Sequence, residues 1–122
     1  MADVETRRIC DREAIRNGGD GVRFYVLRGR QKLPAFVIRH EDVAYAYLNQ
    51  CAHTPVELDW EHGQFFDKNK RYLICATHGA LYEPATGACV DGPCRKKGLV
   101  ALEVDEREDG VFIVGTDQLC FD

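Results

Sequence analysis

The sequence predicts an all-β chain with a loop-rich insert in its middle. Three observations carry that expectation. Short runs rich in β-branched and aromatic residues recur in both the first and the last third of the chain. Gly, Pro, Asp and Asn punctuate them at turn-like intervals. No stretch keeps apolar residues at the three-to-four spacing of a long helix.

In chain order, residues 10–16 read as a short helical turn that stops at Gly18-Gly19. Residues 22–27 form a first strand, broken at Gly29 and its charged neighbours, and residues 34–39 a second. Residues 43–48 alternate small or aliphatic side chains with larger ones, the period of two of a strand with two distinct faces. The short link His40-Glu41-Asp42 makes this strand the antiparallel hairpin partner of the one before it. From Asn49 to about Gly98 the composition shifts towards Gly, Pro, His and Cys, and the strand candidates shrink to 63–66 and 72–75. Regular strands return at 99–104 and 110–115, with Asp109-Gly110 as the turn signal between them. No internal repeat or linker interrupts the chain, so residues 1–122 are expected to form one domain with an insert at about 49–98.

A chain of 122 residues can bury one core without depending on disulfides. Its 20 acidic against 16 basic residues give a net charge of −4, which argues against nucleic acid as a partner. The longest basic group, Arg95-Lys96-Lys97, reads as a solvated loop, with docking to an acidic partner as the alternative. No apolar run approaches the roughly 20 residues of a membrane helix. The polar N-terminus lacks the apolar stretch of a secretory signal, so a cytoplasmic location is expected. In that reducing compartment six cysteines are many, and paired ones more often mark a metal or catalysis than a staple.

The chemistry concentrates in two short elements. Cys51-Ala52-His53 is followed, after 21 intervening residues, by Cys75-Ala76-Thr77-His78. Each offers one thiolate and one imidazole from a tight segment. Two such loops facing each other present two sulfurs and two nitrogens. That set suits zinc, or an iron–sulfur centre of mixed ligation. Structural zinc sites usually pair like ligands by local spacing, which is not the arrangement here. In mixed ligation each loop gives its Cys to one iron and its His to the other, which explains the closeness of Cys and His in each element.

This pattern resembles the Rieske iron–sulfur family, whose motif is Cys-x-His, a variable spacer and Cys-x-x-His. The resemblance continues through His78-Gly79-Ala80-Leu81-Tyr82, the turn at Thr86-Gly87 and the proline loop at Gly92-Pro93. It implies an antiparallel Rieske-type fold, with a loop-rich cluster-binding subdomain inserted in a small β-sandwich or barrel. It implies one [2Fe–2S] cluster, with Cys51 and Cys75 on one iron and His53 and His78 on the other. Tyr82, Pro93 and Ala80 are the neighbouring candidates around it. High-potential members carry an extra cysteine in each loop and a serine after the His-Gly pair. Here those positions are Val56, Thr77 and Ala80. A lost hydroxyl bond to a cluster sulfur lowers the potential, so a low to intermediate value is implied. Tyr82 stands where members often bond a ligand cysteine; a plain core aromatic is the alternative.

The remaining motif residues divide by context. Cys89 and Cys94 read as free thiols, with a local disulfide or a role in cluster access as alternatives. Cys10 and Cys120 read as buried small hydrophobes. His40 and His62 match no ligand spacing and read as surface or turn residues. Trp60, Phe65 and Phe66 read as packing beneath the first loop, with a docking surface as the alternative. The chain lacks a second histidine set for a mononuclear iron, so it is expected not to be an enzyme. The resemblance implies a soluble Rieske-type ferredoxin that carries electrons from a reductase to an oxygenase or similar acceptor, docking at the His53/His78 tip. A small Rieske subunit or redox-sensing module of a larger complex, as in nitrite-type reductases, is the second reading. A zinc-stabilised interaction module is the third.

Overall fold

A computed structural model of the protein describes residues 6–50, 57–59, 63–75, 79–91 and 98–115. Among them nine strands form: β1 (Thr6–Cys10), β2 (Val22–Arg28), β3 (Gln31–His40), β4 (Val43–Leu48), β5 (Leu73–Ile74), β6 (Leu81–Tyr82), β7 (Cys89–Asp91), β8 (Ala101–Arg107) and β9 (Gly110–Val114). One 3-10 turn, Arg12–Ala14, follows β1. Every strand pairing is antiparallel. Six strands lie in the order β1-β9-β8-β4-β3-β2, and the edge strands β1 and β2 approach each other, so the sheet curls into a nearly closed barrel. β5, β6 and β7 form a separate three-stranded sheet.

The side-chain pattern of β3 and β4 explains how the two sheets join. In β3, Leu33, Ala35 and Val37 enter one apolar cluster, together with Val26, Ala44, Ala46, Leu48, Val111 and Ile113. The alternate residues Phe36 and Ile38 enter a second cluster with Tyr47, Leu58, Phe65, Leu73 and Tyr82. Successive strand side chains point to opposite faces, so β3 is covered on both. That is why its sequence is a nearly continuous apolar run. β4 keeps the alternation read from sequence: alanines and Leu48 face the barrel, while Tyr45 and Tyr47 face the insert.

Phe36 stacks on Phe65 with ring centroids 3.9 Å apart and planes 11° apart. Beside this stack Gly21 allows a close approach. A Cβ there would sit 2.7 Å from both Ile38 and Phe65, and the Gly21 N–H donates to the Gly63 carbonyl at 2.7 Å. The small insert sheet is thereby pressed on the outer face of the barrel.

Several boundaries differ from the sequence reading. Residues 6–10 form a strand that the sequence reading did not place, and only the 3-10 turn remains of the predicted 10–16 turn. β1 is mostly exposed, so its Thr-Arg-Arg-Ile-Cys sequence carries little strand pattern; its pairing with β9 creates it. The predicted strand at 63–66 reduces to one bridge, Phe66 with Leu73. The predicted 99–104 strand begins later, at Ala101, and runs to Arg107. The β8–β9 link is Glu108-Asp109, with Gly110 (φ 154°) already the first residue of β9. The β3–β4 hairpin is as expected, its Glu41 and Asp42 both at positive φ, 49° and 70°. No helix among the described residues is long and apolar enough to cross a membrane.

Candidate functional site

The second ligand element is built on the insert sheet. Cys75 follows β5 directly and is fully buried. Its N–H donates to the Ala80 carbonyl at 2.9 Å, and its own carbonyl accepts from the Gly79 N–H at 2.7 Å. Two backbone bonds thus tie Cys75 to Gly79 and Ala80. Gly79 has φ +71°, a left-handed conformation that a side chain would strain, and this closes the turn. Ala80 and Tyr82 are fully buried in the same cluster as Cys75, with Leu58 and Phe65. The structure thus brings Cys75, Ala80 and Tyr82 together. Cys51, His53, His78 and Pro93 lie outside the described residues, as do Val56 and Thr77.

The first ligand element is held by its two stems. Asn49, fully buried, ends the β4 segment; its N–H donates to the Pro34 carbonyl at 2.8 Å. Its side-chain Oδ1 accepts from the Leu58 N–H at 2.8 Å. Its Nδ2 donates to Asp59 Oδ1, also at 2.8 Å. Asp59 Oδ2 in turn accepts from the Gly63 N–H at 2.9 Å. One buried amide and one buried carboxylate thus hold Asn49 to Leu58, Asp59 and Gly63. Arg23 on β2 completes the group. Its Nε lies 3.3 Å from Asp59 Oδ2, an ion pair too poorly aligned for a hydrogen bond, and its outer nitrogen pairs with Glu57. Sequence reasoning missed Asn49, Asp59 and Arg23. The available signal was an amide and a carboxylate flanking the Cys-x-His element, and neither type declares itself buried from sequence alone.

The turn after the site follows the sequence reading. Gly87 (φ +77°) and Thr86 form a turn whose N–H groups donate to the Glu83 carbonyl at 2.7 and 3.3 Å. A Cβ on Gly87 would meet the Tyr47 ring at 2.7 Å. The Tyr47 hydroxyl donates to the Pro84 carbonyl at 2.6 Å, and burial pushes its phenol well above the usual range. This bond ties the insert to β4.

Cys89 corrects the free-thiol reading: it is disulfide-bonded, to a cysteine outside the described residues. Its segment is already pinned at the base, by the Ala88–Gly98 bridge and the Leu99 N–H bond to Gly87 O at 2.8 Å. Cys10 is a buried thiol as expected, pushed up in pKa by burial. Phe65 packs in the core, while Phe66 stacks on His40 at 6.1 Å, so that histidine is largely covered at the end of β3. Cys94, Cys120, His62, Trp60 and Arg95-Lys96-Lys97 lie outside the described residues.

The described part of the donor set fits a mixed thiolate–imidazole iron–sulfur centre. Cys75 offers sulfur from a closed turn in apolar surroundings, which restrict water around a bound group. At Gly79, beside the Cys-x-x-His element, a Cβ would meet nothing within 4 Å, so that side of the turn is open.

Comparison with known proteins bears on the same residues. The family model for the Rieske [2Fe-2S] domain matches residues 6–113. No curated protein matches the chain. Among solved structures, the ferredoxin of carbazole 1,9a-dioxygenase from Nocardioides aromaticivorans IC177 superposes with a TM-score of 0.67 at 21% identity, over 88% of this chain and 95% of that one. A complex of reduced oxygenase and oxidized ferredoxin in carbazole 1,9a-dioxygenase gives 0.68 at 23% identity, over 88% and 91%. In the reduced complex between oxygenase and ferredoxin, a longer chain matches with 0.72 at 20% identity, over 89% of this chain but 28% of that one. At such identities the likeness is one of fold.

Proposed function

The chain belongs to the Rieske [2Fe-2S] domain family, and from that premise we propose that it is a soluble electron carrier, passing single electrons from a reductase to an oxygenase-type acceptor. Residues 1–122 act as one Rieske domain, with a cluster-binding subdomain at about 49–98. Cys51 and Cys75 hold one iron and His53 and His78 the other. When bound, the [2Fe–2S] cluster supplies a one-electron couple. The chain does not itself transform a substrate, and its place is the cytoplasm.

The observation that carries this reading is the buried Cys75, tied by backbone bonds to Gly79 and Ala80 at the two ends of the Cys-x-x-His element. The protein's own residues have three tasks. The turn bonds hold Cys75 in position. Ala80, Tyr82, Leu58 and Phe65 keep water from its sulfur side. The Asn49–Asp59 clasp fixes the stems of the element that carries Cys51 and His53. The partner docks over the tip bearing His53 and His78, through the small interface that suits a transient redox encounter. Ala80 supplies no hydroxyl, which keeps the potential in the lower part of the family's range. The ferredoxin–oxygenase complexes of the same fold support an oxygenase as acceptor. The match within a longer chain supports a second reading, a Rieske subunit of a larger oxidoreductase.

Metal analysis with electron paramagnetic resonance tests the proposal. The expected result is a red-brown protein with two irons per chain and a spectrum in the reduced state from mixed Cys/His ligation. A colourless protein holding one zinc per chain overturns it.

A further inference from the structure

The described side chains around the cluster element include one arrangement that stability alone does not explain. Asp59 is a carboxylate with no exposed side-chain surface, placed next to the first ligand loop. Burying a charge costs several kcal/mol, and a buried ion pair is often no better for stability than apolar residues of the same size. Its Arg23 partner is imperfectly aligned: the Nε at 3.3 Å makes no hydrogen bond. What the carboxylate does achieve is geometric. Its two oxygens hold the Asn49 side chain and the Gly63 N–H, while Asn49 holds the Leu58 N–H, so the backbone at 58 and at 63 is bound to one buried pair.

We infer that Asn49 and Asp59 are positioning residues for the cluster: they set the geometry of the Cys51/His53 loop, and the Asp59 charge opposes reduction of the cluster it supports. This deepens the reading above and rests on it. The electrostatic part follows from counting charges. Arg23 stands between Asp59 and Glu57, leaving one net negative charge beside the loop stem. Adding an electron makes the cluster more negative, so a nearby fixed negative charge disfavours the reduced form. Removing it favours reduction.

The test uses the full chain with its cluster. Asp59→Asn keeps the shape and removes the charge. Asn49→Ala removes the clasp and leaves the charge. Glu103→Gln, on the exposed face of β8, is the control of equal charge change. Three quantities are read: the reduced fraction at a fixed applied potential, the g values of the reduced protein, and the rate of iron loss to a ferrous chelator. Asp59→Asn is expected to raise the reduced-to-oxidised ratio about threefold or more. Asn49→Ala is expected to shift the g values and speed iron loss about tenfold. If both variants lower the melting temperature but keep the wild-type ratio, g values and loss rate, the residues are structural only and the inference is overturned. Should Asn49→Ala not fold, Asp59→Asn decides: a ratio equal to that of Glu103→Gln overturns the inference. A wild-type protein without iron overturns the cluster reading itself, a result distinct from either.

Discussion

The barrel and the insert are held together by different means. In the barrel, β2, β3 and β4 run six to ten residues in unbroken register, and the interior is aliphatic. The β2–β3 and β3–β4 ladders run residue by residue, and cooperativity comes from many similar contacts. In the insert, β5, β6 and β7 are two or three residues long. Its backbone relies instead on individual side chains. Asn49 and Asp59 clasp one loop. Asp67 caps another, accepting from the Arg71 and Tyr72 N–H groups at 3.0 and 3.4 Å. The Tyr47 hydroxyl holds a third at Pro84. The barrel is a scaffold stable by repetition; the insert is a site stable by particular residues. A site built this way is accurately placed and easily lost, which makes a bound cluster part of its stability.

The largest expected break of this comparison is Cys75→Ser. Loss of this proposed ligand is expected to abolish the visible absorbance. Amide exchange is expected to quicken in the insert while β3 and β4 stay protected, which hydrogen-exchange mass spectrometry resolves. Equal loss of protection in both regions would make them one cooperative unit. Next is Phe36→Ala, which removes the ring that stacks on Phe65 and touches both regions. It is expected to cost about 3–5 kcal/mol in denaturant unfolding. A cost no larger than that of an exposed substitution would mean the insert does not lean on the barrel.

Tyr47→Phe keeps the ring but leaves the Pro84 carbonyl without its donor. A loss of about 1–2 kcal/mol is expected, again from denaturant unfolding. The smallest effect is expected far from the insert. Glu106 pairs with Arg39 and Arg12, and the Arg39 hydrogen bond holds its carboxyl below the ordinary value. A lowered folded value means the contribution to stability is complete above the usual carboxylate range and is lost as pH falls through the folded value. Glu106→Gln is therefore expected to cost about 1 kcal/mol at neutral pH. The gap from wild type should close in acid, as thermal melts across pH would show. A gap constant from neutral pH into strong acid would contradict the ion pair as its source.

How far the sequence could be read depends on the length of the pattern. β3 and β4 are long enough to show their strand character, and the hairpin between them needs only a short link. β6 and β7 have no period at two or three residues, and no reading from sequence located them. β1 exists because β9 pairs with it about a hundred residues later, a contact invisible to local composition. The same holds at the site. Cys75 was singled out by spacing, Ala80 and Tyr82 by the family resemblance, and the three meet in one buried cluster. Asn49, Asp59 and Arg23 were not, since their role comes from meeting across three segments.

The donor chemistry was determined by the sequence itself, because thiolates and imidazoles two and three residues apart leave few groups they suit. The all-β class was determined with it, because alternation and turn residues act locally. Only the tertiary structure decided that β3 is buried on both faces, that Cys89 is cross-linked, and that a buried carboxylate stands beside Asn49, next to the Cys-x-His element. Each of those depends on what lies opposite in space, and residue type alone does not carry that information.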